Sequence, residues 1–260
     1  MKLSEKKAEI VKYSPLLKEL IKRDLKVRYR HSVLGMLWTV LNPLLMMVIL
    51  SIVFSNMFKT DISNFSVYVL IGQIVYNCIC EGTTQGMNSV IWNSHLINKV
   101  YIPKYLFPLS STLSSLVNFG FSFIALIIVM LITRSSFSLV MFTVWIPVLY
   151  MMVFSFGLSL LLCTANVFFR DMQHLYSVFT VAWMYLSVIF YSINILPEWL
   201  QAVVMFNPIY RYITFMRDLI MYGVFPSLGD NLVCIAMSVI MLVIGTAVFR
   251  KHEGRFILHI

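Results

Sequence analysis

Six neutral apolar stretches divide the chain, over residues 34–58, 65–81, 106–133, 139–169, 175–195 and 232–249. Lys59 and Asp61 close the first, the second fades into the polar segment 82–98, and Arg134, Arg170-Asp171 and Arg250-Lys251 close the third, fourth and sixth. Roughly 20 apolar residues cross about 30 Å of hydrocarbon, so the pattern predicts an all-α integral membrane protein with six transmembrane helices. These form one six-span domain over 34–250, flanked by tails over 1–33 and 251–260. Composition agrees: 60% of the 260 residues are hydrophobic, 12% are charged and the mean hydropathy is +0.85. Such a chain is neither a water-soluble domain nor disordered.

Charge fixes the expected orientation. The net charge is +9, and ten of the 20 Lys and Arg lie before residue 31, too dense a cluster for the front of a cleaved signal peptide, so the start reads as mature protein. With a cytoplasmic N-terminus, sixteen basic residues lie inside and four (Lys59, Arg134, Arg211, Arg217) outside. That positive-inside bias predicts both termini cytoplasmic. Next to a span, the basic start has an anionic lipid surface rather than nucleic acid as its expected partner. Cys78, Cys80, Cys163 and Cys234 sit in apolar runs without the ligand pattern of a zinc site.

Three segments outside the spans carry more information. Residues 15–27 sort on a helical wheel into an apolar half (Leu16, Leu17, Leu20, Ile21, Leu25, Val27) and a charged half (Lys18, Glu19, Lys22, Arg23, Lys26), with only Asp24 out of place. Ser14 as N-cap and Pro15 at the first helical position would start this helix. It either lies in the inner-leaflet interface or packs as a solvated helix on the protein itself. The inner loop 92–108, centred on Lys99-Val100-Tyr101-Ile102-Pro103-Lys104, is either a plain turn or a short element that transmits force to two spans. The outer stretch 195–229 is punctuated by Leu196-Pro197-Glu198-Trp199 and Asn207-Pro208 into two short helices, at about 199–206 and 210–221. Neither can span, so they are expected to enter the outer half of the membrane and return. Arg211, Arg217 and Asp218 there face water or cargo, or pair within the hairpin.

Catalytic chemistry is missing. The chain has no phosphate-binding glycine loop, zinc-protease motif or nucleophile elbow, and its eleven carboxylates are scattered. No cofactor is expected in it. An ion-coupled carrier would show ionisable groups inside the spans; only Glu81 comes close, at the expected inner end of the second. The fifth span does offer rings: Tyr176, Phe179, Trp183 and Phe190 form one stripe at helical spacing, either as core packing or as a conduit wall on which sugar rings stack.

Arg23-Asp24-Leu25-Lys26-Val27-Arg28-Tyr29-Arg30-His31-Ser32-Val33-Leu34-Gly35, followed by Trp38 and Leu41-Asn42-Pro43-Leu44, closely resembles the opening of the permeases of type-2 ABC polysaccharide exporters, which move O-antigen, teichoic acid and related polymers. The inner-loop Lys99 to Lys104 pattern, Asn166 to Asp171 and Asn207-Pro208 extend the likeness along the whole chain. The resemblance implies a permease that pairs with itself and with two copies of a cytosolic ATPase, which binds the Mg-ATP, in a bacterial inner membrane. The implied ATPase-coupling residues are His95, Asn98, Lys99, Tyr101, Pro103 and Lys104, with Arg170, Asp171 and His174. Pro197, Trp199, Asn207, Pro208, Arg211 and Arg217 fall in the implied outer gate. Arg23, Lys26, Arg28 and Arg30 are candidates for the phosphates of an undecaprenyl-linked glycan, or serve only topology and lipid anchoring. A polyol-phosphate polymer, a drug or an ion-coupled solute are the alternative cargoes.

Overall fold

The computed structural model describes residues 2–28, 32–54, 62 and 64–259, and every regular element among them is helical. In order they are α1 (Lys2–Arg28), α2 (Trp38–Phe54), α3 (Phe65–Trp92), α4 (Ser94–Ile97), α5 (Leu106–Ile132), α6 (Trp145–Phe168), α7 (Met172–Leu186), α8 (Glu198–Met205), α9 (Pro208–Arg217) and α10 (Leu228–His252). Short 3-10 turns precede α2 and α6, a π-turn (Asp218–Tyr222) follows α9, and a 3-10 turn (Glu253–Leu258) follows α10. Among the described residues five stretches are long and apolar enough to cross a membrane: Gly35–Phe54, Phe65–Trp92, Leu106–Ile132, Leu139–Phe168 and Leu228–Leu258.

α3 is the axis of the bundle, packed on α5 and α6 and touched by α2, α7 and α9, while α10 lies against α6. Lipid tails are as apolar as leucine, so spanning helices associate where small residues let backbones approach. A Cβ on Gly82 would meet Ser115 Oγ of α5 at 2.6 Å, and one on Gly86 would meet Ser159 Oγ of α6 at 2.5 Å. Where α6 crosses α10, a Cβ on Gly157 would strike the Leu242 backbone at 2.6 Å, and one on Gly245 would strike the Gly157 carbonyl. This explains why α3 continues through the polar segment 82–92, which the hydropathy pattern ends at 81. Gly82, Gly86 and Ser89 are packing surface, and Glu81 lies well inside the helix, about 17 Å before its end at Trp92.

The fifth expected span differs more. α7 has 15 residues, about 22 Å, and stops at Leu186; Val188 then adopts φ 52°, a left-handed conformation that strains a β-branched residue. Phe190 therefore lies beyond the helix and does not continue the stripe of Tyr176, Phe179 and Trp183. The segment still runs from one end of the bundle to the other. Arg170 before it donates to the His259 carbonyl (3.3 Å), and Tyr191 after it accepts from the Tyr68 hydroxyl (2.9 Å) near the start of α3.

α1 starts at Lys2 rather than Ser14, with Pro15 inside it. Leu16 and Leu20 of its apolar half, with Tyr13 just before it, join a second core with Ile97, Ile102, Phe107, Phe249 and Phe256, so this face packs on protein. Asp24, the misfit of the helical wheel, accepts from Ser110 of α5 (3.2 Å) and pairs with Arg23 (2.8 Å).

Gly157→Val should lower stability by about 1–3 kcal/mol through overpacking. Gly120→Ala, whose Cβ would meet nothing within 4 Å, should be silent. Thermal denaturation of the detergent-solubilised protein checks both, and equal melting of Gly157→Val and the unaltered chain would refute the close α6–α10 contact.

Candidate coupling end and outer hairpin

The expected coupling residues gather at one end of the bundle. His95, Asn98, Lys99 and Tyr101 are exposed on α4 and the loop after it, Tyr101 to 92%, while Ile102 anchors the loop in the second core. Pro103 and Lys104 are half-buried. Lys104 Nζ donates to the Glu253 carbonyl (2.6 Å) and sits 5.6 Å from the centre of the Phe256 ring. Burial lowers its pKa, and the Glu253 charge opposes the shift. Arg170, Asp171 and His174 are exposed at the α6–α7 turn. The C-terminal turn thus brackets the loop before α5 and the α6–α7 turn, through Lys104 on one side and Arg170 on the other, with Phe168 stacked edge-on against Phe256 and His259. Hydropathy marked 251–260 only as a tail. Phe256 is the readable signal, an aromatic in a basic segment that is fully buried.

Beside this end, α1, α3 and α5 enclose a groove of about 430 Å³ lined by Arg23, Asp24, Val27, Gln85, Trp92 and Ser111, among others. Of the four basic headgroup candidates, Arg23 lines it. Its guanidinium donates to Asn93 Oδ1 (2.6 Å), pairs with Asp24 and keeps 43% of its side chain exposed. Lys26 is exposed on the same helix, Arg28 is its last residue, and Arg30 lies outside the described residues.

At the other end, the α8–α9 hairpin closes over the break in α7. Pro197 precedes α8, where Trp199 is exposed, and Pro208 opens α9. Asn207 satisfies its whole side chain. Its Oδ1 accepts from Trp183 Nε1 (2.8 Å) and the Ile209 N–H (3.0 Å), and its Nδ2 donates to the Leu186 carbonyl and Ser187 Oγ (both 3.1 Å). Arg211 makes the hairpin's interhelical ion pair, with Asp230 of α10 at 3.0 Å. Arg217 turns inward instead and is only 4% exposed. It donates to the carbonyls of Val188 (3.2 Å), Ile189 (3.1 Å) and Tyr68 (3.3 Å), with its guanidinium 3.3 Å from the centre of the Tyr68 ring. The aromatic candidates divide accordingly. Tyr176 is buried against Thr83 (2.7 Å), Trp183 is buried at Asn207, and Phe190 stacks on Phe54 with centroids 6.0 Å apart. Phe179, 51% exposed, has an open face.

The profile of the ABC-2 type transporter family matches residues 15–221, from the middle of α1 through the outer hairpin. This chain belongs to the ABC-2 type transporter family. It is 30% identical over 248 residues to the O-antigen export system permease protein RfbA of Klebsiella pneumoniae, covering 93% of both chains. It is 27% identical to the RfbA protein of Myxococcus xanthus (95% of this chain, 96% of that one) and 23% identical to the polysialic acid transport protein KpsM of Escherichia coli (90% and 92%).

In this ABC-2 family chain, Asn207 fixes the angle between α7 and the hairpin. Asn207→Leu strands buried donors and acceptors of Trp183, Leu186 and Ser187, and should cost about 1–3 kcal/mol. The check is the melting temperature of the purified protein, with Trp199→Ala, an exposed position, expected to melt like the parent.

Proposed function

We propose that this chain is the membrane permease of an ATP-driven polysaccharide exporter, acting as a homodimer with two copies of a separate cytosolic ABC ATPase. Its cargo is a lipid-linked glycan, an O-antigen, carried across a bacterial inner membrane from the side on which both termini lie. The end-to-end likeness to permeases named for O-antigen export carries this reading. The common placement of the N-terminal helix, both basic loops and the C-terminal turn at one end of the bundle supports it.

Mechanically, the ATPase seats on the exposed His95, Asn98, Lys99 and Tyr101. Closure of the ATPase dimer then pulls on the loop before α5 and, through the bracket made by Lys104, Glu253 and Arg170, on α7 and α10 together. The pull separates the permease halves and opens the groove at Arg23 to the inner leaflet. There a guanidinium suits the phosphates of the carrier lipid, since its planar fork matches phosphate oxygens. The outer hairpin, fastened to the broken end of α7, is the gate on the far side.

Purified with its ATPase in lipid vesicles, the chain is expected to show ATP hydrolysis stimulated by glycan-lipid. Transport driven by an ion gradient without any ATPase would overturn the reading. Replacing Tyr101 and His95 by Ala should cut export about tenfold, equivalent to some 1.4 kcal/mol of coupling, while the permease inserts at its normal level. Arg23→Gln should raise the glycan-lipid concentration needed for half-maximal stimulation and leave basal hydrolysis unchanged.

A further inference from the structure

α3 carries a continuous polar face where a spanning helix has no need of one. Gln73, Asn77, Glu81, Thr84 and Gln85 recur at helical spacing on one side and cover about 18 Å of its length. Asn77 and Thr84 are exposed, and Glu81 and Gln85 are half-buried. The face opens between α5, where Asn118 Nδ2 donates to Glu81 at 2.6 Å, and α7, where the Thr180 carbonyl and Tyr176 hydroxyl bond Tyr76 and Thr83 on the flank of α3. Two deeply buried amide oxygens at this face have no hydrogen-bond partner among the described residues: Gln73 Oε1, on a residue 9% exposed, and Asn118 Oδ1, on one 5% exposed. Amides and a carboxylate against acyl chains would each cost several kcal/mol, so hydrocarbon does not cover such a row. Gln85 also lines the groove at Arg23, which makes groove and row one surface.

We infer that this row is the wet lane along which the polymer passes, and that it selects a neutral polyhydroxylated chain over a polyanion. The inference deepens the export reading above by naming the cargo's charge class. Amide, hydroxyl and carboxylate groups accept and donate hydrogen bonds as sugar hydroxyls do, in either direction and without fixed register. α2, α3, α5 and α7 contain no Lys or Arg, so nothing along these helices compensates a phosphate or a sugar carboxylate, and Glu81 repels both. A dry zipper between two copies of α3 is the competing use of the face. In a two-fold dimer it would set like carboxylates of Glu81 facing each other.

The test uses the full chain assembled with its ATPase, with Cys78, Cys80, Cys163 and Cys234 replaced by Ser. Asn77→Cys and Thr84→Cys, and Ile52→Cys on the exposed apolar face of α2, are exposed in membrane vesicles to membrane-impermeant methanethiosulfonates, one cationic and one anionic. The cationic reagent should label positions 77 and 84 at least about tenfold faster than the anionic one, Glu81→Gln should close that gap, and position 52 should stay unlabelled. Absence of labelling at both lane positions, or preference for the anionic reagent, overturns the lane. In the unaltered cysteine background, Asn77→Leu combined with Thr84→Val should cut glycan export at least about tenfold with assembly intact, and normal export would overturn it equally. Labelling reads water and charge without cargo, so a parent that exports no glycan refutes the export reading while the lane is still decided.

Discussion

Inside an apolar bundle every backbone carbonyl released by a helix break must find a donor, and the break at Leu186 is where this structure meets that demand. Asn207 supplies a donor to the Leu186 carbonyl and also holds the Ser187 hydroxyl, Arg217 donates to the carbonyls of Val188 and Ile189, and Tyr68 to that of Tyr191. The left-handed Val188 persists because its neighbours are held on both sides. An arginine so deep is costly unless its donors are used, and here its two terminal nitrogens reach three carbonyls over the Tyr68 ring, while Nε has no hydrogen-bond partner among the described residues. The outer hairpin, the end of α7 and the start of α3 therefore form one fastened unit, and the arginine is what fastens it.

The same economy governs α3. With no hydrophobic gain from helix association in lipid, contact is won by removing side chains at Gly82, Gly86, Gly157 and Gly245. The close faces then leave the opposite side of α3 free to carry polar groups, and α5 returns Asn118 to meet them. Rigid packing on one face and hydration on the other give the helix two distinct roles, scaffold and path.

At the basic end the logic reverses, since water is available and ionic contacts are cheap. Lys104 and Arg170 reach carbonyls of the C-terminal turn, and Phe256 plugs the second core. A bracket of this kind lets a force applied to either loop reach α1, α5, α7 and α10 together. Lys104 and Arg170 lie within the stretch matched by the family profile and the C-terminal turn lies beyond it, although the named relatives align across nearly the full chain.

Hydropathy and charge by themselves determined the helical class, five of the six expected spans to within a few residues at most ends, the two outer helices and the basic segments, because burial in lipid and retention at its surface depend on residue type alone. The remaining expected span, at α7, is too short to be a span of membrane length. The amphipathic half of α1 was equally plain, down to Asp24 as its one misfit. Tertiary structure decided the rest. Residues 82–92 read as a polar segment past the end of the span until glycine and serine contacts make them helix, which moved Glu81 from a boundary into the span. The stripe of Tyr176, Phe179, Trp183 and Phe190 read as one helix face until donors from Asn207 and Arg217, which lie 21 to 29 residues away, drew off the carbonyls that would have continued it. Spacing encodes what a helix can present; which carbonyls a distant side chain claims depends on where the chain returns, and no local pattern records that.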